Sequence, residues 1–284
     1  MNRRDFVLWG SLAGVTAIRR SGPVVRIVLV PPAEATAGAG EMGIRMGVEE
    51  AQRAALLFGG EVTLTSVSGD APLAASVLSE VIRRATAVVG GRDSGECAEL
   101  ARWAERQGVL YLNVASPDDT LRGAECRSTT FHVMPSAAMY RDALARVEPS
   151  VASDARSVAW DASLERFGAD TLNQRFHTRS GRPMTDEAWA GWLAVKILWE
   201  SALRARTANP VGLAAILTRD SSRFDGHKGR ALSFRPWDHQ LRQPMYVITG
   251  GSGASRAIEV PAASGASVSS TAVLDELGAS SERT

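Results

Sequence analysis

Residues 86–121, TAVVGGRDSGECAELARWAERQGVLYLNVASPDDTL, constrain what this chain can fold into more than any other stretch. They read as a short apolar strand at 87–89, a glycine loop at Gly90 and Gly91, a helix opening near Ser94, a second strand at 109–112 and a polar loop. In an open parallel sheet both loops emerge at the carboxyl edge, which is where such sheets bind ligands. Ser94 and Gly95 stand where the helix begins, so free backbone N–H groups and the positive end of the helix dipole face that crevice and suit a carboxylate. Asn113 and Ser116 add short polar side chains on the next loop, and either Asp93 or Ser94 is placed to cap the helix.

The same alternation precedes this stretch. VVRIVLV after Pro23 is rich in β-branched residues and reads as a buried strand. EMGIRMGVEEAQRAALLFGG fits a helix ending at Gly59 and Gly60. EVTLTSV alternates as a strand, PLAASVLSEVIRRA is amphipathic at helical spacing, and AVVGG is the next strand. Strands separated by helices of this length predict an α/β, doubly wound parallel sheet. A literal G-x-G-x-x-G occurs as Gly38, Gly40 and Gly43 in GAGEMG. In the dinucleotide fingerprint the glycines follow the strand directly, whereas here residues 31–37 intervene. An NAD(P)-dependent oxidoreductase is therefore the weaker alternative.

Further on, a strand is expected at 129–133, followed by a helix capped by Ser136. His132, in that apolar strand, reads as a hydrogen-bonded core residue, because no nucleophile motif accompanies it. Residues 147–157 read as a linker. Thr185 offers an N-cap, with Asp186 and Glu187 in the first turn. Trp189, Trp192, Val195 and Trp199 then form a wide apolar face on a helix reaching about Arg206. Each tryptophan can bury about 150–250 Å², worth several kcal/mol per ring at about 25 cal/mol per Å², so this reads as a core helix. Asn209 and Pro210 start another helix, Asp225 and Gly226 mark a turn, and strands are expected at 231–234 and 245–248. From 251 to 284 glycine, alanine and serine dominate, which predicts a disordered tail.

The 284 residues carry a net charge of +1 and are 45% hydrophobic, ample for a packed core. The scattered arginines, without interleaved aromatics, argue against nucleic acid as a partner. Cys97 and Cys126 are too few for a zinc signature, and could pair as one disulfide in an exported chain. The first 22 residues resemble a twin-arginine export signal: Arg3 and Arg4 precede a short apolar run that ends near Ile18. Arg19 and Arg20 follow that run, and no clear cleavage site appears. The implied location is periplasmic, or cytoplasmic if the leader does not act.

The AVVGG loop with Ser94, the NVASPDD loop and above all the late run FDGHKGRALSFRPWDHQLRQPMYVI resemble the leucine/branched-chain amino acid binding proteins of ABC importers. The nearest likeness is to the subgroup associated with pyrroloquinoline-quinone-dependent alcohol oxidation. The resemblance covers roughly 24–147 and 160–248. It implies a type I periplasmic binding fold, in which two α/β lobes close on a small solute, with no cofactor and no enzymatic activity. The partners it implies are a small solute and the membrane subunits of an importer. In that family the first lobe holds the ligand carboxylate after its third and fourth strands. Carried over, those positions are Ser94, Gly95, Ala115 and Ser116, with Glu34, Arg92 and Asp118 at the rim. Pro117 and Asp118 stand where the family often has Thr or Ala, which leaves the solute open between an amino acid and another small carboxylate.

Only 148–159 separates the two resembling segments, too little for a domain, which rarely falls below about 50 residues. The resemblance thus implies a first lobe at 23–147 completed by 160–250, with most of the second lobe missing. Its place as the other jaw would fall to a partner, a dimer mate or the tail, and a remnant lobe serving as a protein-interaction module is the other reading.

Overall fold

The computed structural model describes residues 22–31, 37–67, 84–146, 155–249, 256–260 and 274–278. Its centre is a parallel sheet of β1 (Val24–Val30), β2 (Glu61–Ser66), β3 (Ala87–Gly90), β4 (Leu110–Asn113) and β5 (Thr130–His132), in the order β2-β1-β3-β4-β5. Every neighbouring pair is parallel: Ile27 lies opposite Ala87, Ala87 opposite Leu110, and Tyr111 opposite Thr130. The chain order reverses between β1 and β3, and it is at such a switch point that open α/β sheets form a crevice. β3, β4 and β5 are buried along their whole length, as expected of a parallel sheet with both faces covered.

One face is covered by α1 (Ala37–Phe58) and α5 (Asp186–Ala205), the other by α2 (Ser94–Gln107). α3 (Ala137–Ala145), α4 (Ala169–Ser180) and α6 (Pro210–Leu217) complete the helices. The caps fall where local chemistry puts them. Asp93 accepts from the Glu96 N–H, Ser136 from Met139, Thr185 from Ala188, and Asn209 from Val211 and Gly212. Of the two candidates at the start of α2, Asp93 is thus the cap. The tryptophan face of α5 is core: Trp189, Trp192 and Trp199 are buried, and Trp160 stacks on Trp189 at 5.7 Å. The indole N–H groups of Trp189 and Trp192 are satisfied as well, on the Gly226 carbonyl and on Glu50.

The GAGEMG reading is overturned. Gly38, Gly40 and Gly43 lie inside α1, not in a turn before it. A Cβ on Gly43 would stand 2.0 Å from the Ala188 carbonyl oxygen, and one on Gly191 would stand 2.9 Å from the Gly40 carbonyl oxygen. Gly40 and Gly43, with Gly191, bring α1 and α5 into backbone contact, while Gly38 faces the Arg182 side chain.

Two small antiparallel sheets complete the described residues. β10 (Tyr246–Thr249) lies between β6 (Arg156–Val158) and β11 (Arg256–Glu259), and β8 (Ala231–Phe234) between β7 (Phe224–Asp225) and β9 (Leu241–Arg242). Two boundaries read from the sequence are corrected here. The linker expected over 148–159 contains β6, recruited by β10 across about 90 residues of chain. The tail expected to be disordered from 251 contributes β11 and a docked turn at 274–278. Leu274 and Leu277 of that turn are buried, and Asp275 joins Arg235 and Arg242. Cys97 and Cys126 are free thiols, not a disulfide. The export segment, Glu34, and all but the end of the helix expected over 72–85 lie outside the described residues.

Candidate functional site

At the carboxyl edge, the loops after β3 and β4 meet through two hydroxyls: Ser94 Oγ lies 3.0 Å from Ser116 Oγ. Ser94 is half-buried and Ser116 is only 2% exposed, so Ser116 stands behind Ser94. The backbone before Ser94 is set by Gly90 (φ 124°) and Gly91 (φ 115°), conformations that exclude a side chain. A Cβ on Gly90 would strike the Val30 carbonyl oxygen at 1.9 Å, and one on Gly91 would strike Cys97 Sγ at 2.6 Å. Tyr111 holds this turn from beneath, its hydroxyl donating to the Gly90 carbonyl at 2.9 Å. Burial pushes the Tyr111 hydroxyl well above its usual range and the neighbouring Cys97 thiol up to about 11, so neither is ionised at neutral pH.

The amides at the two loops differ in what they are free to do. At the start of α2, Asp93 takes Glu96 N–H through its side chain and Cys97 N–H through its carbonyl. Among the described residues no acceptor lies on the N–H groups of Ser94 and Gly95. On the β4 loop the N–H groups of Ala115 and Ser116 are already used, both donating to Asn113 Oδ1 at 3.1 and 2.9 Å. Of the four positions carried over from the resemblance, Ser94 and Gly95 keep free donors, Ala115 supplies wall, and Ser116 supports Ser94.

The rim residues divide in the same way. Arg92 folds back on Glu96, with both its backbone N–H and its guanidinium engaged. Asp118 accepts from the backbone N–H and hydroxyl of Thr120 and donates its own N–H to Ser116 Oγ. The Thr120 N–H, more than any other group, holds its carboxyl below the usual carboxylate range. It is therefore an anion beside the paired serines at neutral pH. A recess of about 20 Å³, room for about one water, adjoins the site and is lined by Gly40, Ile44, Gly90, Gly91, Val114, Ala115 and Glu187.

Two residues essential to this geometry carry no local sequence signal. Arg122 donates to the carbonyls of Ser116, Asp118 and Met134 at 2.7–3.1 Å and to Gln240 Oε1 at 2.8 Å. Burial lowers its pKa to about 10, so it remains a cation at neutral pH. Gln240, 118 positions away, in turn bonds the carbonyls of His132 and Met134. Among the described residues no group of three or more His, Cys, Asp or Glu side chains is placed to hold a metal.

No protein-family profile and no curated protein matches this chain. Solved structures do. A leucine-, isoleucine-, valine-, threonine- and alanine-binding protein from Brucella ovis, in its closed conformation, superposes with a TM-score of 0.69 at 13% identity, over 85% of this chain and 95% of that one. An ABC transporter substrate-binding protein from Desulfitobacterium hafniense in complex with Leu gives 0.67 at 14% identity, over 83% and 100%. The branched-chain amino acid transporter substrate-binding protein of Streptococcus pneumoniae, in complex with isoleucine, gives 0.66 at 12%, over 83% and 99%. The fold is thus that of the type I periplasmic solute-binding proteins. Within that class, these neighbours bind leucine and other branched-chain amino acids, and at such identities the likeness is one of fold.

Proposed function

We propose that this protein is a periplasmic solute-binding component of an ABC-type importer, and that it takes a small zwitterion such as an amino acid. The observation that carries the reading is the pairing of Ser94 with Ser116 beside two unengaged N–H groups at the start of α2. Ser116 Oγ already accepts from Asp118 N–H, so its own proton is free for Ser94 Oγ. The N–H groups of Ser94 and Gly95 give two donors for one carboxylate, reinforced by the helix dipole, while the Ser94 hydroxyl also faces the Asp118 carboxylate. The ionised Asp118 suits the ammonium group of the same molecule, and the recess, with room for about one water, leaves the rest of the solute outside this lobe.

The described residues contain one parallel sheet, which supports a single lobe offering half of a clamshell site. The solved neighbours are matched over 95–100% of their length, so the half-site reading rests on the sheet content and not on coverage. Small-ligand sites usually bury most of their ligand, and a half-site alone should bind weakly.

A thermal-shift screen of amino acids, small carboxylates and short-chain alcohol oxidation products tests the proposal, because a ligand of the folded state raises Tm with concentration. A dose-dependent rise that Ser94→Ala abolishes supports it. A sharp melt that none of these solutes moves contradicts it.

A further inference from the structure

The Asn113 side chain has every polar group assigned. Its Oδ1 accepts from the N–H groups of Ala115 and Ser116, and its Nδ2 donates to the Ser116 carbonyl at 2.8 Å. These three bonds to backbone fix which end of the amide is oxygen. The second Nδ2 proton faces His132 Nδ1 at 3.1 Å. A donor there requires an acceptor, so His132 carries its proton on Nε2 and is neutral. His132 is wholly buried, and its Nε2 has no well-formed hydrogen bond.

We propose that Asn113 and His132 form one positioning unit for the Ser94–Ser116 pair, and that the unit holds only while His132 is neutral. A second proton would go onto Nδ1 and set an N–H against the Nδ2 donor. The clash would push Asn113 off the three backbone groups that shape residues 113–116, and Ser116 would lose its place behind Ser94. The charges around the ring add to this. Arg122, which packs on the same loop, is a cation, and His239, whose carbonyl accepts from His132 N–H, would be another if protonated. The Leu121 carbonyl is the group that works in the opposite direction. From β4 the ring meets Asn113, and Gln240 of the β8–β9 turn donates to the His132 backbone carbonyl, both side chains uncharged. The inference rests on the proposed solute site only for what Ser116 is for. The state of the ring and the shape of the loop are independent of any solute.

The test is nitrogen-15 NMR on the full chain without solute, following the His132 ring and the Ser116 amide as the pH is lowered from 8. The expected result is an Nε2–H tautomer at pH 7 and a Ser116 amide shift that changes with the same midpoint as the ring. An Nδ1–H tautomer, an imidazolium at pH 7, or a Ser116 amide that stays fixed while His132 titrates would overturn the proposal. His132→Asn supplies an acceptor that cannot titrate. It should keep the neutral-pH Ser116 shift and lose the acid transition. If that variant does not fold, the measurement on the natural chain still decides. Should the ring behave as described while no solute binds, the positioning unit stands and the solute-binding reading fails.

Discussion

Ser94 and Ser116, 22 residues apart in sequence, are joined hydroxyl to hydroxyl at 3.0 Å across the loops that follow β3 and β4. Neither loop would hold this arrangement alone. Ser94 is placed by the Asp93 cap and two left-handed glycines, Ser116 by Asn113 and Arg122. Because the hydroxyls share one bond, Ser94→Ala and Ser116→Ala should not be additive. Each is expected to cost about 1 kcal/mol of stability, and the double variant less than the sum. Urea denaturation of the four proteins in the cycle measures this.

Arg122 should matter more to the fold than any exposed arginine. Replacing it by Met keeps much of the side-chain volume, removes the charged donor from the carbonyls of Ser116, Asp118 and Met134, each of which keeps a second donor, and leaves Gln240 Oε1 without its partner. A loss of roughly 2 kcal/mol is expected, from the lost hydrogen bonds to a charged donor. Arg122→Lys should recover only part of it, since an ammonium cannot reproduce the planar fork. Equilibrium unfolding checks both.

The glycine contact between α1 and α5 leaves little space. Gly43→Ala puts a methyl against the Ala188 carbonyl and should destabilise by about 2 kcal/mol. Gly108, which meets nothing within 4 Å at its Cβ, is the contrasting site. Its left-handed backbone, φ 67°, makes Gly108→Asn the tolerated change there, with a Tm close to that of the natural chain.

The thiols should differ sharply in reactivity. Cys97 is fully buried with its thiol pushed up to about 11, while Cys126 is partly open. The thiolate is the reacting form, so at pH 8 an aromatic disulfide reagent should label Cys126 first and Cys97 only as the protein unfolds. Equal rates would mean that the α2–β3 contact opens readily.

Acid should weaken the fold through His132. Its ordinary value is 6.5, and burial holds it well below that in the folded chain. As pH falls past 6.5 the unfolded chain takes up this proton first, so stability is full above that pH and declines from there toward the folded value. The chain carrying His132→Asn should show a shallower loss between pH 6.5 and 5 when melting curves are compared.

What the sequence made legible was local. Asp93, Ser136, Thr185 and Asn209 each cap a helix through a bond spanning two or three residues, so the signal lies within one turn of chain. The placing of the loops after β3 and β4 at the carboxyl edge followed from strand–helix alternation, whereas the strand order that sets the switch point did not. Contacts made across the fold were hidden. Arg122 reaches Gln240 over 118 positions, and Arg235 reaches Asp275 over 40. The tail was misread for a related reason. Among its glycines, alanines and serines, Leu274, Asp275 and Leu277 fit a slot whose other wall is Arg235 and Arg242, and nothing near them in sequence announces it. GAGEMG misled because close helix packing and a phosphate turn both call for glycine at short spacing.

The free N–H groups of Ser94 and Gly95 are expected to receive a solute carboxylate. The most direct measurement is an amide NMR titration of the full chain with an amino acid and, separately, with its carboxamide. Saturable shifts of the Ser94 and Gly95 amides are expected with the amino acid and much smaller ones with the carboxamide. Shifts of equal size with both compounds, or none at either residue, would contradict carboxylate binding there.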